Sequence, residues 1–310
     1  MADQCTLSDE VTLSGVALHS GLDMNMTLKP ACVDYGIRFR RTDIIGPTED
    51  IRAIAENVTS LARATTISNS AGHSVSTIEH LMAACAGVGL DNMLVEIDGP
   101  EVPIMDGSSL DFCNIFNEGG VRLQSKPRRI IRILEPVSFE SGPASASLRP
   151  SDRDVLSLSA RIEFEDRAIG TQQASLVLEN GAFCKHLSYA RTFGRSSELA
   201  GLQAKGLALG GSLDNAILVD DDMIINPGGL RSADEFIRHK LLDAIGDLAL
   251  TGASIAGHYE AVRPGHALNL GLVQALLDTP TAWCWERQDA DMDVYPSDQS
   301  AVDLAKEIRA

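Results

Sequence analysis

The 310-residue chain is poor in aromatic side chains, 5% in all with only two tryptophans, so its core has to be built mostly from aliphatic residues. Basic residues are also scarce. Against 43 Asp and Glu there are 26 Lys and Arg, a net charge of −17. That balance excludes the broad basic footprint of a nucleic-acid binder. The six cysteines (5, 32, 85, 113, 184 and 284) are scattered, with no C-x-x-C pair. This argues against a disulfide framework or a thiolate zinc site, and for reduced thiols in a cytoplasmic setting. No uninterrupted apolar run approaches ~18 residues, so no membrane span is expected. The opening MADQCTLSDE has neither the basic nor the apolar region of a signal peptide. G-x-G-x-x-G and Walker loops are absent as well.

What is present reads as a globular chain, 44% apolar and 22% charged. At roughly 100–200 residues per domain, the length fits two domains or one large one. Strand patterns are expected at 12–19, 25–30, 36–41 and 92–97. A helix is expected from Ser76 to about Ala86, with Ser76 as N-cap and Glu79 completing a capping box. The chain turns polar around 119–129, and the division into domains is placed there, as 1–125 and 126–310. The second half repeats the pattern, with strands expected at 130–136, 155–164 and 176–178. Helices follow near 196–205 and 233–251. No short sequence repeat is detectable. Strands followed by helix in each half predict an α+β fold rather than one doubly wound sheet.

Three segments carry chemistry. In 234–250, DEFIRHKLLDAIGDLAL, Glu235, His239, Asp243 and Asp247 recur every four residues, so they lie along one stripe of a helix. His239 and Asp243 can reach one point in space, as half of a metal site. The plain alternative is a solvated face with an i,i+4 ion pair. In 76–84, His80 is a candidate third ligand and Glu79 a base beside the metal, against a capping glutamate and an ordinary helical histidine. In Arg263-Pro264-Gly265-His266, the histidine is either a loop residue or a general acid held over the site. Two imidazoles, one carboxylate and an open position form the pattern of a catalytic zinc, which lowers the pKa of water toward ~7. A neighbouring carboxylate and histidine would then serve as base and acid, which suits amide or ester hydrolysis. The same ligand types make the facial triad of Fe(II) oxygenases, and residue types alone leave both open.

Motifs along nearly the whole chain settle on a resemblance. They run from Gly15-Val16-Ala17-Leu18-His19-Ser20-Gly21, through the Glu79-His80 helix, to 101–108 (EVPIMDGS). They continue with Ala190-Arg191-Thr192-Phe193-Gly194, 210–215 (GGSLDN), the 234–250 helix and 265–269 (GHALN). In that order they closely resemble the zinc-dependent UDP-3-O-acyl-N-acetylglucosamine deacetylases of lipid A synthesis. The resemblance implies two similar α+β domains, each a sheet with helices, the helices packed between the two sheet layers and the site at their interface. It implies one Zn²⁺, with Fe²⁺ as an alternative in the cell, on His80, His239 and Asp243. Glu79 would be the general base and His266 the general acid, with Asp247 orienting it. Thr192 would hold the oxyanion and Lys240 would lie near the substrate's carbonyl or diphosphate.

The resemblance further implies a UDP-linked acylated amino sugar as substrate, no nucleic-acid partner, no stable membrane insertion and a monomer. Substrate contacts would come from Phe193, Arg191 and Gly211. Leu199, Leu202 and Leu207 would line an acyl-chain passage, together with Leu209. The chain departs from the family pattern at Ala17, Ala144, Asp166, Arg167, Arg195 and Pro264. None is a ligand or an acid–base residue. They fall where nucleotide or acyl chain is expected, so an altered acyl preference, another N-acyl sugar, or nucleotide-sugar binding without turnover are the rival expectations.

Overall fold

The computed structural model describes residues 3–46, 49–179 and 181–286. The tail 287–310, assigned above to the second half, lies outside the described residues. Six helices, α1 (Glu79–Val88), α2 (Leu110–Gly119), α3 (Ala182–His186), α4 (Ser196–Gln203), α5 (Glu235–Leu248) and α6 (His266–Leu277), accompany five sheets among the described residues. The fold is α+β, as expected.

The two large sheets share one topology. In the first half the strand order is Val11–Val16, Asp23–Pro30, Met93–Ile97, Ile37–Arg41, Ile51–Arg52. Only the pairing of Met93–Ile97 with Ile37–Arg41 is parallel. In the second half, Val137–Ser141, Ala144–Arg149, Ser254–Val262, Leu156–Glu163 and Thr171–Val177 follow the same order, and again only the third and fourth strands are parallel. Ile130–Ile133 and Trp283–Trp285 extend this second sheet beside the first residues of Ser254–Val262. In each half the last strand of the common set enters the middle of the sheet, with one helix before it (α1 or α5) and one after it (α2 or α6). Each half also inserts a small three-stranded sheet ahead of α1 or α5. The first is built from Val58–Ser60, Thr66–Ser68 and Ser74–Val75, the second from Phe193–Arg195, Ile217–Asp220 and Met223–Ile224.

Period-two alternation explains the sheets. Met24, Met26 and Leu28 are buried between outward-facing Asp23 and Asn25, and Met93, Val95 and Ile97 alternate likewise. The helices α1 and α5 are different, because they are buried nearly all round. The first seven residues of α1 are buried, and in α5 only Arg238 and Lys240 escape. Helices this buried belong inside a core rather than on its surface. They pack on each other, from opposite halves, within one hydrophobic cluster that draws on both sheets. Gly246 makes the approach possible. A Cβ there would lie 2.1 Å from the Glu79 carbonyl oxygen, so only glycine lets the backbones of α5 and α1 touch.

One local expectation is corrected. The helix begins at Glu79, not at Ser76, and no side chain caps it. Ser76 is held in extended backbone by Pro100 and Val102, and Thr77 then turns the chain with φ 59°. The Glu79 side chain is therefore free of capping duty. The polar stretch around Ser125 and Lys126, where the division into domains is placed, is part of a strand. That strand, Val121–Pro127, is paired antiparallel with Asp3–Leu7.

Candidate active site and metal centre

Contact between α1 and α5 brings the three candidate ligands together. Ligand atoms of His80, His239 and Asp243 lie within 4.8 Å of one another, and all three residues are buried. Asp243 Oδ1 stands 3.3 Å from His239 Nε2 and 3.6 Å from His80 Nε2. The His80 and His239 rings meet edge to face at 5.0 Å. His239 Nδ1 lies 3.1 Å from the Ala190 carbonyl oxygen. That bond places the proton on Nδ1 and leaves Nε2 as a lone pair facing Asp243. Asp243 Oδ2 accepts from Lys240 at 2.8 Å, while Oδ1 is buried with no hydrogen-bond partner. An orphaned carboxylate oxygen beside two imidazoles is costly unless a cation completes it. The donor set fits a divalent ion with three N/O ligands.

The electrostatics agree. Burial pushes the His239 imidazole down to about 3, so it is neutral and able to ligate. Burial would raise Asp243, but His239 and Lys240 hold its carboxyl well below the usual range.

A second cluster faces the first. Glu79 is buried, with Oε2 accepting from the Thr65 backbone N–H at 3.1 Å and Oε1 3.7 Å from His266 Nε2. Burial raises the Glu79 carboxyl, and the His266 charge opposes that. His266 opens α6, and its Nδ1 is 2.9 Å from Asp247 Oδ2. Asp247 also accepts from Asn269 Nδ2 at 2.9 Å and from the Thr65 hydroxyl at 2.8 Å. Asn269 is fixed in turn by the Tyr259 hydroxyl at 2.7 Å. Burial would lower the His266 pKa, yet the Asp247 charge and hydrogen bond, with Glu79 behind them, raise it to about 10. His266 is thus cationic at neutral pH, with the Glu79 carboxyl beside it.

Thr65, Asn269 and Tyr259 were not foreseen. Asn269 lies three residues after His266, on the same face of α6, and that spacing was the one available signal. Nothing in the sequence marks Thr65 or Tyr259.

A cavity of about 430 Å³ covers the centre, lined by Glu79, His80, Thr192, Phe193, Lys240 and His266 among others. A second cavity of about 400 Å³ adjoins it and is more apolar, with Phe164, Leu199, Leu202, Leu213, Ile217 and Leu218 in its wall. Leu18, Arg63, Thr192, Phe193 and Lys240 border both. Phe193 is held edge to face by Phe164 and Phe236, with Lys240 Nζ 5.4 Å from its ring. Among the remaining expected contacts, Gly211 borders the second cavity, whereas Leu207 is not part of either wall. Leu209 is exposed. Arg191 stands apart from both cavities. It is buried, its guanidinium is taken by Glu235 at 2.9 Å and the Gly229 carbonyl at 2.8 Å, and it braces the start of α5.

Residues 4–278 match the family model of the UDP-3-O-acyl N-acetylglycosamine deacetylases. The chain belongs to this family. Proteins named UDP-3-O-acyl-N-acetylglucosamine deacetylase are similar along their length. The one from Phenylobacterium zucineum (strain HLK1) is 46% identical over 280 residues, covering 90% of this chain and 95% of the relative. The one from Idiomarina loihiensis is 44% identical over 298 residues, covering 96% of each. The one from Myxococcus xanthus (strain DK1622) is 46% identical over 284 residues, covering 92% and 88%. Deacetylases of this family are metal-dependent, and the His-His-Asp cluster is this chain's candidate metal site. No helix among the described residues is long and apolar enough to cross a membrane.

Proposed function

We propose that this protein hydrolyses the N-acetyl group of a UDP-linked, 3-O-acylated N-acetylglucosamine, releasing acetate in the committed step of lipid A synthesis. The observation that carries the reading is the Glu79–His266 pair, 3.7 Å apart, set against the His80–His239–Asp243 cluster in one cavity. A base and an acid next to a ligand set are what amide hydrolysis requires, and a pure binder needs neither. Membership of the family and the names of its relatives support the substrate.

His80, His239 and Asp243 would hold one Zn²⁺, with Fe²⁺ as the cellular alternative. Such an ion supplies Lewis acidity, which activates water and polarises the amide carbonyl. Glu79 takes the proton of the attacking water, and burial raises its affinity for that proton. Thr192, bordering the cavity, donates to the developing oxyanion. His266, kept cationic by Asp247, protonates the departing amine. Lys240 and Phe193 line the route of the sugar. Leu199, Leu202 and Gly211, in the adjoining apolar wall, receive the acyl chain. We further take 1–125 and 126–310 as the two domains, with a cytoplasmic location, in keeping with the free thiols of all six cysteines.

The test follows acetate release from UDP-3-O-acyl-N-acetylglucosamine by metal-replete protein, with His80→Ala as the blank. Release that vanishes in the blank supports the reading. Well-folded, metal-replete protein that binds the nucleotide sugar and releases nothing overturns it.

A further inference from the structure

Four charged side chains are linked in alternating sign, and three of them lie in the wall of the second cavity. Asp166 Oδ2 lies 3.2 Å from Arg195 Nη1. Arg195 also pairs with Glu198 in the first turn of α4, and Glu198 pairs with Arg63 at 2.9 Å. Arg63, Arg195 and Glu198 all border this cavity, whose wall is otherwise largely apolar. Arg63 borders the catalytic cavity as well. It therefore stands at the throat between the two, opposite Phe193 and Lys240.

The chain of charges ties three separate parts of the fold together. Asp166 follows the Leu156–Glu163 strand, Arg195 and Glu198 open α4, and Arg63 belongs to the insert of the other half. Arg63 holds φ 74°, a conformation unfavourable for a side chain with a Cβ and kept only where surroundings impose it. In α4, no residue is buried, so little apolar packing fixes that helix. Its position over the cavity depends on these ion pairs more than a core helix would. The Glu198 carboxyl is held below the usual range chiefly by its hydrogen bond from Arg195.

We propose that the Asp166–Arg195–Glu198–Arg63 chain is a strap across the throat between the two cavities, and that it sets which acyl chains this enzyme admits. The inference rests on the function proposed above and adds a specificity determinant to it. A linear chain threads past Arg63 into the apolar cavity. A bulkier or longer one needs α4 to move, and the strap opposes that. The strap residues position α4 and take no part in the bond-breaking step.

The experiment uses the metal-replete full chain and a set of UDP-sugars that differ only in their 3-O-acyl group, stepped in length and including one branched chain. Binding is measured by calorimetry and turnover by acetate release. Glu198→Gln and Arg63→Met cut the same link from opposite ends, so agreement between them separates the strap from a local folding defect. Each is expected to raise the preference for the branched or longest chain over the best linear one by about fivefold, the size of one coupled contact, through KM rather than kcat. Arg63→Lys, which keeps the positive charge opposite Glu198, is expected to retain the original preference. An unchanged chain-length profile in both Glu198→Gln and Arg63→Met overturns the strap, and so does an Arg63→Lys profile as altered as that of Arg63→Met. If no acetate is released from any substrate, the function reading fails, and the calorimetric profile still decides the strap.

Discussion

The two halves of this molecule have one topology and unequal chemical duties. Each contributes a five-stranded core sheet with its third and fourth strands parallel, a helix feeding the central strand, and a three-stranded insert. The first half supplies Glu79 and His80 from the first turn of α1, with Thr65 behind them. The second supplies His239, Asp243 and Asp247 from the buried stripe of α5, and His266 and Asn269 from the start of α6. A ligand set split this way exists only when the halves are docked. The fold is therefore a device for aligning one helix end with the flank of another. The largest effects should come from whatever breaks that sharing.

His80→Ala removes the first half's candidate ligand, and His239→Ala removes one of the second half's two candidates. Both are expected to reduce activity to background and to lower bound metal measured on dialysed protein, since two remaining ligands leave a weak site. If His80→Ala kept its metal and its turnover, the first half would have no part in the centre. Next comes Glu79→Gln, isosteric and still able to accept from Thr65. Metal content should stay at the wild-type level while kcat falls by about 10²–10⁴, the usual contribution of a general base.

Asp247→Asn tests the second half's internal wiring. Asp247 raises the His266 pKa to about 10 against the effect of burial. Without the negative charge that pKa falls, so the imidazolium is lost at lower pH. With His266 as the proposed acid, the alkaline limb of kcat/KM should move acidward, with a loss of about 10–100-fold at neutral pH. An alkaline limb that stays in place would mean that it reports another group.

The duplicated topology left no trace in the sequence as a repeat, because a sheet requires only alternation of apolar and polar residues, which many sequences satisfy. Strands such as Met93–Ile97 and the stripe on α5 were legible for the same reason, since periodicity survives divergence. The start of α1 was misread. Ser76 and Glu79 have capping-box spacing, but the Ser76 backbone is bonded to Pro100 and Val102 and Thr77 breaks the helical path. Those tertiary contacts override the local signal. The site's ligands and acid–base pair could be named from helix spacing and resemblance. Thr65 and Tyr259 could not, since each reaches Asp247 or Asn269 from a distant strand or loop. Arg191 was named with the substrate contacts, but its guanidinium is taken by Glu235 and the Gly229 carbonyl, partners far from it in sequence that no local pattern marks.

Gly246→Ala acts on the docking itself rather than on any functional group. Alanine is the better helix former by about 1 kcal/mol, so an isolated α5 would gain. Here the added Cβ would lie 2.1 Å from the Glu79 carbonyl oxygen, and α1 or α5 must shift. We expect a net loss of about 1–3 kcal/mol in denaturant unfolding, along with reduced activity, because the residue carrying that carbonyl is the proposed base. Stability equal to wild type would show that the halves tolerate a looser seam than the structure suggests.

The smallest effect is expected at the strand that leads from one half into the other. Val121–Pro127 pairs with Asp3–Leu7, and two kinds of side-chain contact reinforce it. Lys126 reaches Asp34 at 2.6 Å, but both side chains are largely exposed. Such a pair is screened by water and salt, and Lys126→Ala should cost under about 1 kcal/mol, with the difference vanishing at high ionic strength. The buried amides differ. Asn92 Nδ2 donates to both Gln4 and Gln124 at 2.8 and 2.7 Å, and its Oδ1 accepts from the Gly36 N–H. Asn92→Ala takes the acceptor from the Gly36 N–H and one donor each from Gln4 and Gln124, at about 1–3 kcal/mol. Measured side by side in urea, the two variants separate an exposed ion pair from a buried hydrogen-bond network on the same strand. Equal losses would mean that the ion pair, not the amide network, holds the crossing between halves.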